Sequence, residues 1–165
     1  MRRPFASTGL RIVSLFVSFL ALVGLATAAD VTYSFNLIGP QITASGSGDK
    51  IAMTGAGSFD TTAGTVVASG SFAQFNANGS VVKGTWLATS FASFDAFGGP
   101  NSGLQGGVLQ IMVTLTFQHG GQQTGVPMSV TCLINAPPGF TGNEGITLGD
   151  FTTPVRGRTL FHVNN

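Results

Sequence analysis

Apolar and polar residues alternate along most of this chain, with a period of two rather than 3.6. The plainest case is Leu109 to Phe117, where Leu109, Ile111, Val113, Leu115 and Phe117 interleave with Gln110, Met112, Thr114 and Thr116. Successive side chains of a strand point to opposite faces, so this spacing predicts a half-buried strand with those five residues toward a core. Tyr33, Phe35 and Leu37 share a parity in Val31 to Ile38, and Gly39-Pro40 ends that run because proline cannot donate to a ladder. Lys50 to Asp60 places Ile51, Met53, Gly55, Gly57 and Phe59 on one face. Ser80 to Phe94 places Val82, Trp86, Ala88, Ala92 and Phe94 on one parity, with Lys83, Thr85 and Thr89 on the other.

Polar turn clusters separate these runs: Ser45 to Asp49, Thr61 to Gly64, Gly98 to Gly103, Gly120 to Gly125 and Pro137-Pro138-Gly139. Asn76-Ala77-Asn78-Gly79 reads as a hairpin, because Asn-Gly readily takes the positive φ angles of a type I′ turn. Further runs at Thr65 to Asn76, Val126 to Ile134, Ile146 to Phe151 and Arg158 to Val163 bring the expectation to seven or eight strands. No stretch of the chain beyond its N-terminal segment shows helical periodicity. The predicted class is all-β, a single antiparallel up-and-down β-barrel of the calycin or dirigent-like kind, since closure removes exposed edges. A β-sandwich is the alternative.

The first residues follow a different pattern. Arg2, Arg3 and Arg11 precede an apolar run from Ile12 to Leu25, which ends in Ala26-Thr27-Ala28-Ala29. A basic start, a short apolar stretch and a small-x-small end are the parts of a secretory signal peptide. The run falls short of the roughly 20 apolar residues that span a bilayer. Residues 1–29 are therefore expected to be removed, with cleavage after Ala28 or Ala29, leaving residues 30–165 as one exported domain. The expected location is secreted or extracytoplasmic.

Removal of that segment changes the charge balance. Lys50, Lys83, Arg156 and Arg158 then face Asp30, Asp49, Asp60, Asp95, Glu144 and Asp150, so the remaining chain is slightly acidic. Phosphate backbones demand a basic footprint, and a nucleic-acid partner is excluded on that ground. A basic membrane-surface segment is likewise not expected. Cys132 is the only cysteine, so no intramolecular disulfide can form, and its β-prone neighbours Val130 to Ile134 suit a buried thiol.

A resemblance adds to this. Met53-Thr54-Gly55-Ala56-Gly57-Ser58-Phe59 followed by Gly64-Thr65-Val66-Val67-Ala68-Ser69-Gly70 resembles the glycine-rich strand pair of dirigent and allene-oxide-cyclase-like barrels. With Lys83-Gly84-Thr85-Trp86 and Thr131-Cys132-Leu133-Ile134, the chain is also similar to small secreted bacterial β-barrel proteins of unknown function. The resemblance implies a barrel; it transfers no catalytic residue.

Chemistry-bearing motifs are sparse. His119 and His162 have no Cys, His, Asp or Glu neighbour at metal-ligand spacing, so no metal is predicted. No serine sits in a nucleophile elbow and no glycine run fits a phosphate loop, so neither a catalytic residue nor a cofactor is predicted. Asp95, Glu144 and Asp150 lie in or beside loops and would matter only if folding brought them to a barrel mouth. Asn78-Gly79-Ser80 is formally a glycosylation sequon, but the hairpin turn already accounts for it. The mature chain retains eleven phenylalanines. The leading expectation is thus a non-enzymatic exported barrel that binds an apolar small molecule or serves a structural role at the cell exterior. Phe59, Phe72, Trp86 and Phe117 are the candidate cavity residues. One alternative is a dirigent or cyclase-like enzyme with a barrel cavity. Another is a small outer-membrane β-barrel, although such barrels carry girdles of aromatic residues and this chain has one Trp and one Tyr.

Overall fold

A computed structural model describes residues 31–98 and 103–164. The expected signal segment, with Ala28 and Ala29, lies outside the described residues, as do residues 99–102 of the long loop. Ten strands form: β1 (Thr32–Leu37), β2 (Gln41–Ser45), β3 (Lys50–Asp60), β4 (Thr65–Phe75), β5 (Val81–Gly98), β6 (Leu104–Phe117), β7 (Gln122–Cys132), β8 (Gly145–Leu148), β9 (Phe151–Arg156) and β10 (Thr159–Asn164). They make one antiparallel sheet, and no helix occurs among the described residues.

From β2 to β9 each strand pairs with the next, and β9 returns to β2, so eight strands close an up-and-down ring. The terminal strands β1 and β10 pair with each other and add a second closure. β3 holds β2 along Lys50–Met53 and β1 along Ala56–Asp60. β6 likewise holds β7 from Gly107 onward and β10 at Leu104 and Gln105. The long strands thus change partner partway, and the β1–β10 pair continues the wall where β2 and β7 leave off. The closed, barrel-like ring is the architecture that the alternation predicts, rather than two packed sheets. The count is ten, not seven or eight.

Two strands escape the alternation rule, for different reasons. In β2 the inward residues are Gln41 and Thr43, both fully buried, while Ile42 and Ala44 are partly exposed. Buried polar groups need partners. Gln41 Nε2 donates to the Arg158 carbonyl at 2.9 Å, and the Thr43 hydroxyl donates to the Phe151 carbonyl at 3.4 Å. β9 contains Pro154, which opposes Thr43 at an irregular seam with register shifts on either side. Proline is tolerated there because the ladder is already interrupted.

Elsewhere parity predicts the core. Phe35 and Leu37 of β1, Ile51, Met53 and Phe59 of β3, and Leu109, Ile111, Val113 and Leu115 of β6 are all buried. β5 departs from its expected parity. Register shifts at Ala88/Ser90 and Phe91/Ser93 make bulges, so Phe91 and Phe94 pack against the core while Ala92 is exposed. The β4–β5 hairpin also differs from a type I′ turn, which needs positive φ at two residues. Only Gly79 has it, at 85°, in a longer loop closed by Asn76 N–H to the Ser80 carbonyl at 2.9 Å.

Candidate functional site

Phe59, Phe72, Trp86 and Phe117 do not meet in one cavity. Phe59 is buried in an aromatic cluster with Tyr33, Phe35, Phe91, Phe94 and Phe161, its ring centroid 4.9 Å from that of Phe94. Trp86 is buried over the glycines of β3 and β4. Its ring occupies the space that side chains at Gly55 and Gly70 would fill, and Nε1 donates to the Thr54 carbonyl at 2.9 Å. Phe72 and Phe117 are brought together, edge to face at 5.6 Å, with the Phe72 ring lying across Gly84. Edge-to-face contact aligns the positive ring edge with the negative face and adds to the burial energy. Phe72 and Phe117 alone of the four border the hollow described next.

That hollow lies on the outer side of the wall. Met53, Phe72, Trp86 and Leu115 face inward, so Ala52, Thr54, Ser71, Ala73, Lys83, Thr85 and Thr116 face outward by strand alternation. The pairing register lines them up in two rows across β3, β4, β5 and β6. One row runs Thr54, Ser71, Thr85, Thr116, and the other runs Ala52, Ala73, Lys83, with Gln118 donating its N–H to the Lys83 carbonyl at 2.8 Å. Every side chain on this floor except Lys83 and Gln118 is short, and Pro40 stands at one side. The result is a trough of about 660 Å³. Thr54 and Ser71 hydroxyls bond each other at 3.0 Å, and Thr116 accepts from Gln122 Nε2 at 3.2 Å. Among the described residues Lys83 is the single charged one in the lining, and no described Asp, Glu, His or Cys is part of it.

A second, smaller hollow of about 240 Å³ opens where the β2–β3, β8–β9 and β4 chain segments converge, lined by Ser45, Ser47, Asp49, Gln74, Gln123 and Asp150 among others. Of the three loop acids considered from sequence, only Asp150 lines it. Asp95 is exposed on β5, and Glu144 accepts the Thr159 N–H at 3.0 Å, closing the turn into β10. Asp49 is engaged locally, accepting from Ala77 N–H at 2.7 Å and from the Ser47 hydroxyl at 3.0 Å.

The remaining candidate groups sit apart from both hollows. His119 is exposed in the β6–β7 turn, and His162 is partly buried in β10 opposite Ser34 and Leu104. Cys132 is fully buried at the end of β7. Burial pushes its thiol above the ordinary value, and the Glu144 carboxylate acts in the same direction. Since the thiolate is the reactive form, native Cys132 should resist iodoacetamide at neutral pH and react fully once the chain is unfolded in denaturant. Labelling at equal rates in both states, followed by mass spectrometry, would contradict this placement. Among the described residues no group of three or more His, Cys, Asp or Glu side chains is placed to hold a metal ion.

The outward trough residues Thr54, Ser71, Lys83, Thr85, Thr116 and Gln118 were not among the sequence candidates. Parity assigns each of them to the non-core face, but only the cross-strand register makes them neighbours. Compared with known protein families, functionally described proteins and solved structures, the chain finds no match in any of the three.

Proposed function

We propose that the mature chain is an exported, non-enzymatic barrel that holds a small, largely apolar molecule in the outer trough across β3 to β6. The observation that carries this reading is the trough itself. Its volume of about 660 Å³ falls within the range of small-molecule sites, roughly 300–1,000 Å³, and Pro40, Ala52 and Ala73 supply apolar surface beside a few polar groups. The barrel interior is taken up by Phe35, Phe59, Trp86, Leu109, Ile111, Met128 and their neighbours, which favours the outer face over an internal cavity. The lack of an acid–base pair in the lining argues for binding rather than catalysis. The outward positions of β3 to β6 mix hydroxyls and Lys83 with exposed Val67, Phe75, Val81 and Leu87, an interrupted face rather than the continuous apolar band that a membrane barrel presents. The export half of the proposal rests on the N-terminal pattern from Arg2 to Ala29.

The test is binding of the neutral dye Nile red to the purified mature protein, read by its fluorescence gain. Ala73→Trp would fill the middle of the trough from an outward, partly exposed position. It should weaken dye binding at least about tenfold, the equivalent of 1.4 kcal/mol, with the melting temperature little changed. Dye affinity unaltered by Ala73→Trp, or no binding of any neutral apolar probe by the native protein, would remove the proposal.

A further inference from the structure

Resting on the trough as a binding site, we infer that its ligand is a flat, fused-ring molecule carrying one carboxylate, and that Lys83 holds the carboxylate. Shape carries the first half. The floor is four strands wide, about 14 Å at the usual interstrand spacing, and two outward rows deep, about 7 Å along the strands. Short side chains pave the first row and the Ala52–Ala73 half of the second, so the site is broad and shallow. A planar ring system covers two rows of methyl and hydroxyl groups at once, which a single extended chain lying in one row does not.

Charge carries the second half. Lys83 stands in the middle of its row, opposite Ala73 of β4, with its own backbone carbonyl bonded by Gln118 N–H of the β6–β7 turn. Among the described residues it is the only charge in the lining, and no carboxylate there opposes it. A ligand that covers the floor also covers the exposed Lys83, whose ammonium is then partly desolvated, and an anion restores its partner. One lysine is a point charge with no fork of donors and no neighbouring base in the lining, so the match is a monoanion rather than a phosphate. The neighbouring Thr85, one residue from Trp86 in β5 and opposite Ser71 and Thr116, offers a hydroxyl donor beside it.

The experiment compares naphthoate with naphthamide, which share ring and shape but differ in charge, as competitors of Nile red on the mature protein. Naphthoate should bind roughly fivefold or more tightly than naphthamide, the scale of one partly exposed ion pair, and the preference should shrink at high salt. Lys83→Met, which keeps the aliphatic stem, should abolish the preference, and Lys83→Arg should restore it. Equal binding of the two competitors to the native protein, or a preference that survives Lys83→Met, overturns the role of Lys83 while leaving the trough as an apolar site. Failure of both competitors alongside failure of Nile red itself overturns the trough and this inference together.

Discussion

Gly70→Ala is expected to cost the fold roughly 2–5 kcal/mol, the sum of overpacking a close contact and breaking a buried hydrogen bond. A methyl at this position would meet the Thr54 carbonyl oxygen and the Trp86 ring nitrogen, the two atoms that bond each other at 2.9 Å. The carbonyl belongs to the backbone of the adjacent strand, so relieving that contact parts β4 from β3, and the indole bonded to the carbonyl has to move as well. Displacing it opens the core between β3, β4 and β5, because Trp86 is buried to 1% exposure over those glycines. Gly46→Ala is the matched control: it lies in the β2–β3 turn with nothing within 4 Å of an added methyl, and should change stability by only a few tenths of a kcal/mol. Trp86 is the only tryptophan, so its emission reports both unfolding and local displacement. Equal denaturation midpoints for the two variants would show that the indole does not sit on Gly70.

Two glycines of the pattern that suggests a tightly bent strand pair, Gly55 and Gly70, thus have a specific cause in the structure, the seat of one tryptophan, whereas Gly57 makes room for Ala68. What the alternation could not show was where strands are irregular. β2 was invisible because its buried side is Gln41 and Thr43, so the polar residues point in and Ile42 points toward solvent. β9 was invisible because Pro154 demotes any strand assignment, yet the irregular β2–β9 seam accommodates it. The first two of the three register shifts in β5, at Ala88/Ser90 and Phe91/Ser93, put Phe91 rather than Ala92 on the inner side. Each miss is a place where tertiary closure overrode a local pattern.

The site was less legible than the fold. Aromatic content pointed inward, to Phe59 and Trp86, and both are consumed in packing. The trough depends on the register between four strands, fixed by the lengths of three hairpin loops. Thr54, Ser71, Thr85 and Thr116 are far apart in sequence and share only a parity. Short residues at some outward positions of consecutive strands, Thr54, Ser71, Thr85 and Thr116, are the signal that was present. Its meaning emerges once the strands are aligned side by side.

Alignment is also what the second large effect depends on. Val113→Asp should unfold the domain or cost several kcal/mol, out of the roughly 5–15 kcal/mol that holds a domain together. Val113 has no exposed surface, opposes Ala88 of β5 and Val126 of β7, and has Ile111 and Leu115 on the same face of β6. A carboxylate there has neither water nor a cationic partner. Thr114→Asp, one residue along, places the same charge on the partly exposed outer face opposite Leu87, where it stays hydrated, and a change within about 1 kcal/mol is expected. Burial favours the neutral acid, so the carboxyl introduced at position 113 should titrate above the ordinary aspartate range, and part of the lost stability should return as the pH falls through that raised value. Urea denaturation of both variants at neutral and mildly acidic pH checks the register and its sign together. A lower midpoint for Thr114→Asp than for Val113→Asp would mean that β6 is offset by one residue, which would turn Leu109, Ile111, Val113 and Leu115 out to solvent and dissolve the outer rows on which the trough is built.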